Sequence, residues 1–459
     1  MSWYPKLPFG EGPRYLQIVA ALQADIASGA VSAGDRLPTH REMADKLGLS
    51  VGTVSKAYAA AERRGLISGK VGRGTFLLPA GQQLGVTDTP PSEGSRRINL
   101  ALNAPPSTGE DQLIARTMTD IMGDRRLTGL LGYLPHQGRE EHRRAMSEWL
   151  SRTSIETSPG NLFITHGAQH AISIAMRLLV KPGTPVLAEN LTYSGMMALA
   201  LMEGYALKGV LMDQYGIIPE RLEEAFYETG ARVLYLTPTF QTATASIMPE
   251  ERRREIAEIV RRNDAWVIED DAYGFLCSDP LPTVTSFLPD RGFYVVSFAK
   301  CLAPGLRIGA MVAPPAFRDR IVNSIRATGW MANALMAEAV VQMIRSGKLI
   351  EQVELKRAAA AERTALAREI LGDFIPVLPP VPAFHLWLSM SLGRTAISLF
   401  AEAAQAGLTL ASPSPLQPLD PMANGFRLCL GGATDQAELR DALMLLRSIL
   451  TDFEAMAIV

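Results

Sequence analysis

From about residue 98 onward, short apolar runs alternate with longer stretches of helical periodicity, and that alternation leaves few architectures open. LFITHG, PVLAEN, ARVLYLTP, AWVIEDDA and FYVVSFAK read as strands. DQLIARTMTDIM, QHAISIAMRLLV, SGMMALALMEGY and EERRREIAEIVRR read as helices. Such a succession predicts a mostly parallel sheet covered by helices, with any site gathered outside the carboxyl ends of the strands.

The alternation stops upstream. In PAGQQLGVTDTPPSEGSRR, residues 79–97, periodicity is lost and Pro, Gly, Ser and Thr accumulate, which marks an exposed connector. Two bodies are therefore expected, over 1–78 and 98–459, as suits a chain of 459 residues. In the smaller body RYLQIVAALQADIASG reads as a helix. A second helix begins near Thr39, with Glu42 placed to complete a capping box. Ser50 opens a third, VGTVSKAYAAAERRG, stopped by Gly65. LISGKVGRGTFLLP then reads as two short strands around a Gly-rich turn, and the whole reads as an N-terminal winged helix-turn-helix.

Charge agrees with that reading only locally. The whole chain carries a formal net charge of -2, whereas residues 1–78 hold ten Lys/Arg and six Asp/Glu, a formal +4. Lys56, Lys70 and Arg73 can neutralise phosphates, Arg41 can reach the backbone, and Ser50, Thr53 and Ser55 are short polar groups on the helix expected to enter the major groove. The plainer use of these residues is as the solvated surface of a small helical domain. Cys277, Cys301 and Cys429 are far apart and lack metal-ligand spacing, so neither a disulfide framework, a zinc cluster nor another metal centre is expected. No signal peptide and no bilayer-spanning run is read, and a cytoplasmic protein without a membrane partner is the expectation. GDRLPTHREMADKLGLS, VGTVSKAY and GLISGKVGRGTF resemble the GntR-type DNA-binding domain over roughly residues 13–78, which implies a double-stranded DNA operator. That family usually follows the helix-opening Ser with Arg; here Ser50 is followed by Val51, and one expected DNA contact is missing.

In the larger body the chemistry-bearing residues fall where the strands end. Gly167, Ala168 and Gln169 follow one strand and open a helix, so backbone N–H groups there can bind phosphate. Tyr193 can cover one face of a planar ring, or simply pack. Asp270 and Asp271 close AWVIEDD. A carboxylate there can hold a pyridine nitrogen protonated, with Tyr273 reaching the ring's phenolic oxygen; as a plainer alternative the Asp pair caps a turn. Lys300 at the end of FYVVSFAK can form a Schiff base with an aldehyde cofactor, and Ser297 and Arg307 can hold its phosphate.

VSFAKCLAPGLRIGA, THGAQHAI and AENLTYSGM resemble the α/β fold-type I superfamily of PLP-dependent transferases, the class I/II aminotransferases, over nearly all of residues 98–459. Joined to a GntR-type head, the body resembles the MocR/GabR-like regulators. The resemblance implies pyridoxal 5'-phosphate as cofactor, with its internal aldimine on Lys300, Asp270 at the pyridine nitrogen, Tyr273 at the phenolic oxygen, and Arg307 and Gln169 near the phosphate. It also places Arg427 of NGFRLCLGG where relatives hold an α-carboxylate. The family's sites are shared between subunits and a helix-turn-helix dimer reads two half-sites, so a homodimer is expected, with Tyr133 of LGYLPHQG contributed to the neighbouring site or packed at the dimer seam. One segment departs: where relatives carry Asn-Pro-x-Gly or His-Gln-Phe-Pro-Thr-Gly, this chain reads TPTFQTATAS, with Phe240 for His, Ala243 for Pro and Ala245 for the final Gly. The expected function is a transcriptional regulator that senses an amino compound, or pyridoxal phosphate itself, at Lys300. A working aminotransferase is the alternative.

Overall fold

The computed structural model describes residues 3–5, 13–27, 31, 35–63, 66–70, 74–77, 97–124, 127–153, 155–375, 382–390, 396–410, 415–417 and 424–455. The chain divides into two units, Met1–Thr89 with Gly393–Ala401, and Pro90–Leu392 with Glu402–Val459.

The first unit contains helices α1 (Arg14–Ala27), α2 (His40–Leu47) and α3 (Val51–Arg63), then the antiparallel strands β1 (Ile67–Lys70) and β2 (Gly74–Leu77). The capping box forms as expected: the Glu42 N–H donates to Thr39 Oγ1 at 3.3 Å and the Thr39 N–H to Glu42 Oε2 at 2.7 Å. Gly48, at φ 64°, ends α2 in the left-handed region and begins the three-residue turn 48–50 into α3. Val19, Met43, Val54 and Ala57 are fully buried at the centre, one or two from each helix, so three amphipathic faces share a single core. This is the winged helix-turn-helix read from the sequence. Gly65 lies outside the described residues.

The second unit is built on a seven-stranded sheet. Its strands are β3 (Leu162–Thr165), β4 (Pro185–Glu189), β5 (Ala206–Val210), β6 (Val233–Leu236), β7 (Trp266–Asp271), β8 (Gly292–Ser297) and β9 (Gly309–Val312). They lie in the order β3-β9-β8-β7-β6-β4-β5. Only β9 runs against its neighbours. The five strands expected from apolar runs all form, and β5 and β9 add to them. Because side chains alternate across a strand, Val233 and Tyr235 join the core under helix α4 (Ala168–Leu179), whereas Leu234 and Leu236 join the opposite core under Glu250–Arg262. A sheet buried on both faces explains why these strands read as continuous apolar runs. Helix α5 (Ser194–Glu203) follows β4. Further along, β10 (His385–Ser389) and β11 (Gly425–Cys429) form a separate antiparallel pair in which Trp387 faces Arg427. Among the described residues no helix is long and apolar enough to cross a membrane.

Candidate functional site

The carboxyl ends of β6, β7 and β8 bring the first group together. At the end of β7, Asp270 and Asp271 point to opposite faces, as neighbours in a strand must. Asp270 Oδ2 accepts from the Tyr235 hydroxyl of β6 at 2.8 Å, and Asp271 accepts from the Tyr294 hydroxyl of β8 at 2.5 Å and from the Gly274 N–H at 2.7 Å. Asp271 is thus the turn-holding carboxylate, while Asp270 keeps one buried oxygen, Oδ1, without a hydrogen-bond partner. Burial pushes the Asp270 carboxyl up to about 6; Tyr235 opposes the rise, Asp271 adds to it, and the Lys300 cation opposes it. A donor delivered to Oδ1 would both satisfy that atom and hold the carboxylate ionised.

Lys300 follows β8 in a turn and is half-buried. Its amine lies 5.6 Å from the centre of the Tyr273 ring and donates to the Asn103 main-chain carbonyl. Tyr273 is buried, and burial lifts its hydroxyl well above the usual range against the pull of Arg427, with Tyr193 and Asp270 also within electrostatic reach. Asp270, Tyr273, Lys300, Tyr193 and Arg427 therefore belong to one neighbourhood.

The second group lies at the start of α4. Gly167 takes φ 76°, and a side chain added there would meet the Arg307 guanidinium at 3.2 Å. Gly309 packs against Gly167 so closely that a Cβ on it would lie 2.8 Å from the Gly167 backbone, a contact that only glycine permits. Arg307 donates to the His166 carbonyl at 3.3 Å and is otherwise exposed beside the α4 N-terminus, which Ala168 and Gln169 open. Gln169 Nε2 donates to Gly195 O at 2.9 Å and its Oε1 is buried without a partner. Ser297 ends β8 and its Oγ accepts from the Ala299 N–H at 3.2 Å. A helix N-terminus and a guanidinium thus meet at one corner, an arrangement that can bind an anion.

Arg427 is half-buried on β11 and donates to Thr242 O at 3.1 Å and Ala101 O at 3.2 Å. Tyr133 lies away from this group, 87% exposed, with its ring 5.6 Å from that of Trp330. In the first unit, Arg41 and Lys56 are exposed. Ser50 Oγ accepts from the Thr53 N–H at 3.1 Å and lies 2.8 Å from Thr53 Oγ1, so it caps α3. Ser55 Oγ lies 3.1 Å from His40 Nδ1, tying α3 to α2. Lys70 ends β1, and Arg73 lies outside the described residues. Glu141, His142 and Glu338 have ligand atoms within 4.8 Å of one another, yet His142 is 2.7 Å from Glu338 and Glu141 pairs with Arg139 at 2.6 Å, so each already has a protein partner.

The structure also recruits residues the sequence did not single out. Tyr235 sets the orientation of Asp270. Asn103 and His385 lie next to Lys300 and are bound to each other. Gln241 organises the divergent loop: its Oε1 accepts from the N–H groups of Ala243 and Thr244, both at 2.8 Å, and its Nε2 donates to Leu191 O at 2.5 Å. Tyr235, Asn103 and His385 are single polar residues in apolar surroundings whose partners are distant in sequence, and Gln241 is one polar residue among several in TPTFQTATAS, so none stands out locally.

The model of the aminotransferase class I and II family matches residues 95–445, and that of the bacterial regulatory proteins of the gntR family matches residues 14–77. The chain belongs to the aminotransferase class I and II family, and joins that fold-type I body to a GntR-type helix-turn-helix in the MocR/GabR-like arrangement. It is 28% identical over 456 residues to the HTH-type transcriptional regulator YdeF of Bacillus subtilis, covering 98% of this chain and 97% of the relative. It is also 28% identical to the probable rhizopine catabolism regulatory protein MocR of Rhizobium meliloti, covering 80% and 79%. Among solved structures it resembles the α-aminoadipate aminotransferase LysN of Thermus thermophilus, crystallised with N-(5'-phosphopyridoxyl)-L-leucine, with TM-score 0.71, 23% identity, and 79% and 94% of the two chains covered. The GntR-type head implies DNA binding.

Proposed function

We propose that the protein is a DNA-binding transcriptional regulator whose larger body, residues 98–459, uses pyridoxal phosphate at Lys300 to sense an amino compound, or senses pyridoxal phosphate itself. The head, 1–78, contacts the operator, with 79–97 as connector. The observation that carries the reading is the meeting of Lys300, Asp270 and Tyr273 at the sheet's carboxyl ends in a chain that begins with a winged helix-turn-helix.

The residues fit the cofactor. Asp270 Oδ1 wants a donor, which a protonated pyridine nitrogen supplies. The α4 N-terminus with Arg307 and Ser297 suits a phosphate, and Gln169, with its unsatisfied Oε1, lies beside it. Tyr193 lies within reach of Tyr235 and Tyr273, where it can cover the ring. When bound, the cofactor supplies an electrophilic carbonyl carbon for primary amines and a ring that withdraws electrons from that carbon. Lys300 would hold the cofactor through its amine and, when free, would carry protons there. Asp270, fixed by Tyr235, would keep the ring nitrogen charged. Arg427 recognises a carboxylate on the incoming amine, for which a guanidinium supplies paired donors.

Exposed Leu131, Tyr133 and Trp330 support pairing with a second copy, as does a winged-helix head that would read two half-sites. In the head, Arg41, Lys56, Lys70 and Arg73 are assigned to phosphates and Thr53 to the groove, with Ser50 and Ser55 placing that helix.

The experiment is a visible absorption titration of the protein with pyridoxal phosphate and then a panel of amines and amino acids, with keto-acid product and operator affinity measured on the same sample. A spectral response to one compound, without turnover but with altered DNA affinity, is expected. Sustained turnover would favour the aminotransferase reading, and no visible band after cofactor addition would end both.

A further inference from the structure

Beyond its place at the proposed site, Lys300 stands at one end of a buried hydrogen-bond chain that leads to the divergent loop. Its amine donates to the main-chain carbonyl of Asn103. The Asn103 amide nitrogen Nδ2 lies 2.9 Å from His385 Nδ1, and His385 Nε2 lies 2.9 Å from the main-chain carbonyl of Gln241. The proton positions follow from the last contact. A carbonyl oxygen only accepts, so Nε2 carries the ring hydrogen; the neutral ring then leaves Nδ1 as an acceptor, and Asn103 must turn its N–H towards it. Burial, with Arg427 close by, keeps the imidazole neutral by lowering its pKa to about 3. His385 has no exposed surface and Asn103 is only 6% exposed, so water does not compete for either contact.

The chain fixes three segments at once: the strand β10, the loop holding Gln241 and Thr242, and the turn carrying Asn103. Packing alone would be served by an apolar residue at 385, as at its strand neighbours Leu386 and Leu388. An imidazole bonded at both ends instead sets where the Asn103 carbonyl stands, and that carbonyl accepts from the amine that the proposed chemistry must release.

We infer that His385 is a positioning residue that, through Asn103, holds a main-chain carbonyl as the resting acceptor for the Lys300 amine whenever an incoming amine displaces it. This rests on the assignment of pyridoxal phosphate to Lys300. The exchange balances without an oxidant: the carbon–nitrogen bond to Lys300 breaks as the bond to the incoming nitrogen forms, and the three hydrogens of the incoming primary ammonium end on the Lys300 nitrogen. The released cation then needs an acceptor, and the Asn103 carbonyl is in place.

The contact exists only while the Lys300 amine is free, so it stabilises the cofactor-free and displaced states relative to the attached state. Losing it therefore acts with opposite signs on two measurable constants. His385→Phe and Asn103→Ala, each in the full chain, should raise the ethylamine concentration that half-displaces the lysine about tenfold, a factor that corresponds to ~1.4 kcal/mol. The dissociation constant for pyridoxal phosphate should not rise. Displacement is read as the loss of cofactor fixed to the protein after borohydride reduction, by intact mass, and cofactor binding by visible absorption. His385→Gln, which can accept from Asn103 and donate to Gln241, should restore most of the wild-type value. Should His385→Phe fail to fold, Asn103→Ala tests the same carbonyl from the other side. A parallel rise of both constants, as from general damage, or no movement of the ethylamine value would overturn the inference. If wild type acquires no cofactor mass on reduction, the cofactor assignment itself fails.

Discussion

Gln241→Met offers the sharpest test of how the divergent loop is held. Methionine nearly matches glutamine in length and volume but offers no strong donor or acceptor. Gln241 is 1% exposed, so water cannot readily replace what it gives. Its carbonyl serves the N–H groups of Ala243 and Thr244, and its amide serves Leu191 O. The substitution leaves three main-chain groups without these partners. A buried polar group stripped of its partner costs about 1–3 kcal/mol, and relaxation at half-buried Thr244 recovers part of that, so a loss of about 3–4 kcal/mol is expected. That is a large share of the ~5–15 kcal/mol that stabilises typical domains.

Urea unfolding followed by tryptophan fluorescence measures this loss, because Trp387 packs with Leu191 and Ala243 and reports on the loop. The same variant should weaken binding of a carboxylate-bearing amine more than that of ethylamine, since Arg427 is anchored on Thr242 O in this loop. A stability loss below about 1 kcal/mol would refute the reasoning, because the three groups would then have found other partners at little cost.

Ala245 holds φ 58°, a left-handed conformation that costs a non-glycine residue ~1–2 kcal/mol. Ala245→Gly should relieve that cost, less about 0.4–1 kcal/mol of added unfolded-state freedom, for a net gain near 0.5–1 kcal/mol in the same urea assay. Asp270→Asn addresses pH dependence in the cofactor-free protein. The raised Asp270 carboxyl binds a proton more tightly folded than unfolded, so stability is lost as pH rises from about 4 through about 6. At roughly 1.4 kcal/mol per pH unit this is on the order of 3 kcal/mol, and Asn should flatten the unfolding midpoint over that window while weakening cofactor affinity. Thr39→Ala removes the α2 cap and should cost the head about 1 kcal/mol in thermal unfolding. Lys56→Ala should weaken operator binding across sequences and reduce the slope of log affinity against log salt by about one.

The parts legible in the sequence were those set by local pattern. Apolar runs announced strands buried on both faces, Thr39 with Glu42 announced a capped helix, and Gly167 announced the turn that Arg307 approaches. Strand β9 was harder to see because it runs antiparallel between β3 and β8, without the helix that normally separates parallel neighbours. The divergent loop shows the deeper limit. Set against the motif of the resembled family, Ala243 and Ala245 look like the loss of a stiff proline and a left-handed glycine. In the fold, Ala245 adopts the left-handed conformation anyway, its N–H bonded to Gln241 O at 2.8 Å, while the Gln241 side chain fixes the backbone at Ala243 and Thr244. The loop is thus held by hydrogen bonds rather than by intrinsic preference, and the same Gln241 main-chain carbonyl accepts a hydrogen bond from His385 Nε2. A residue chosen to hold a loop through contacts distant in sequence has no spacing to betray it. The consequence is that Ala243 and Ala245, read alone, do not reveal what holds this loop beside Arg427 and His385.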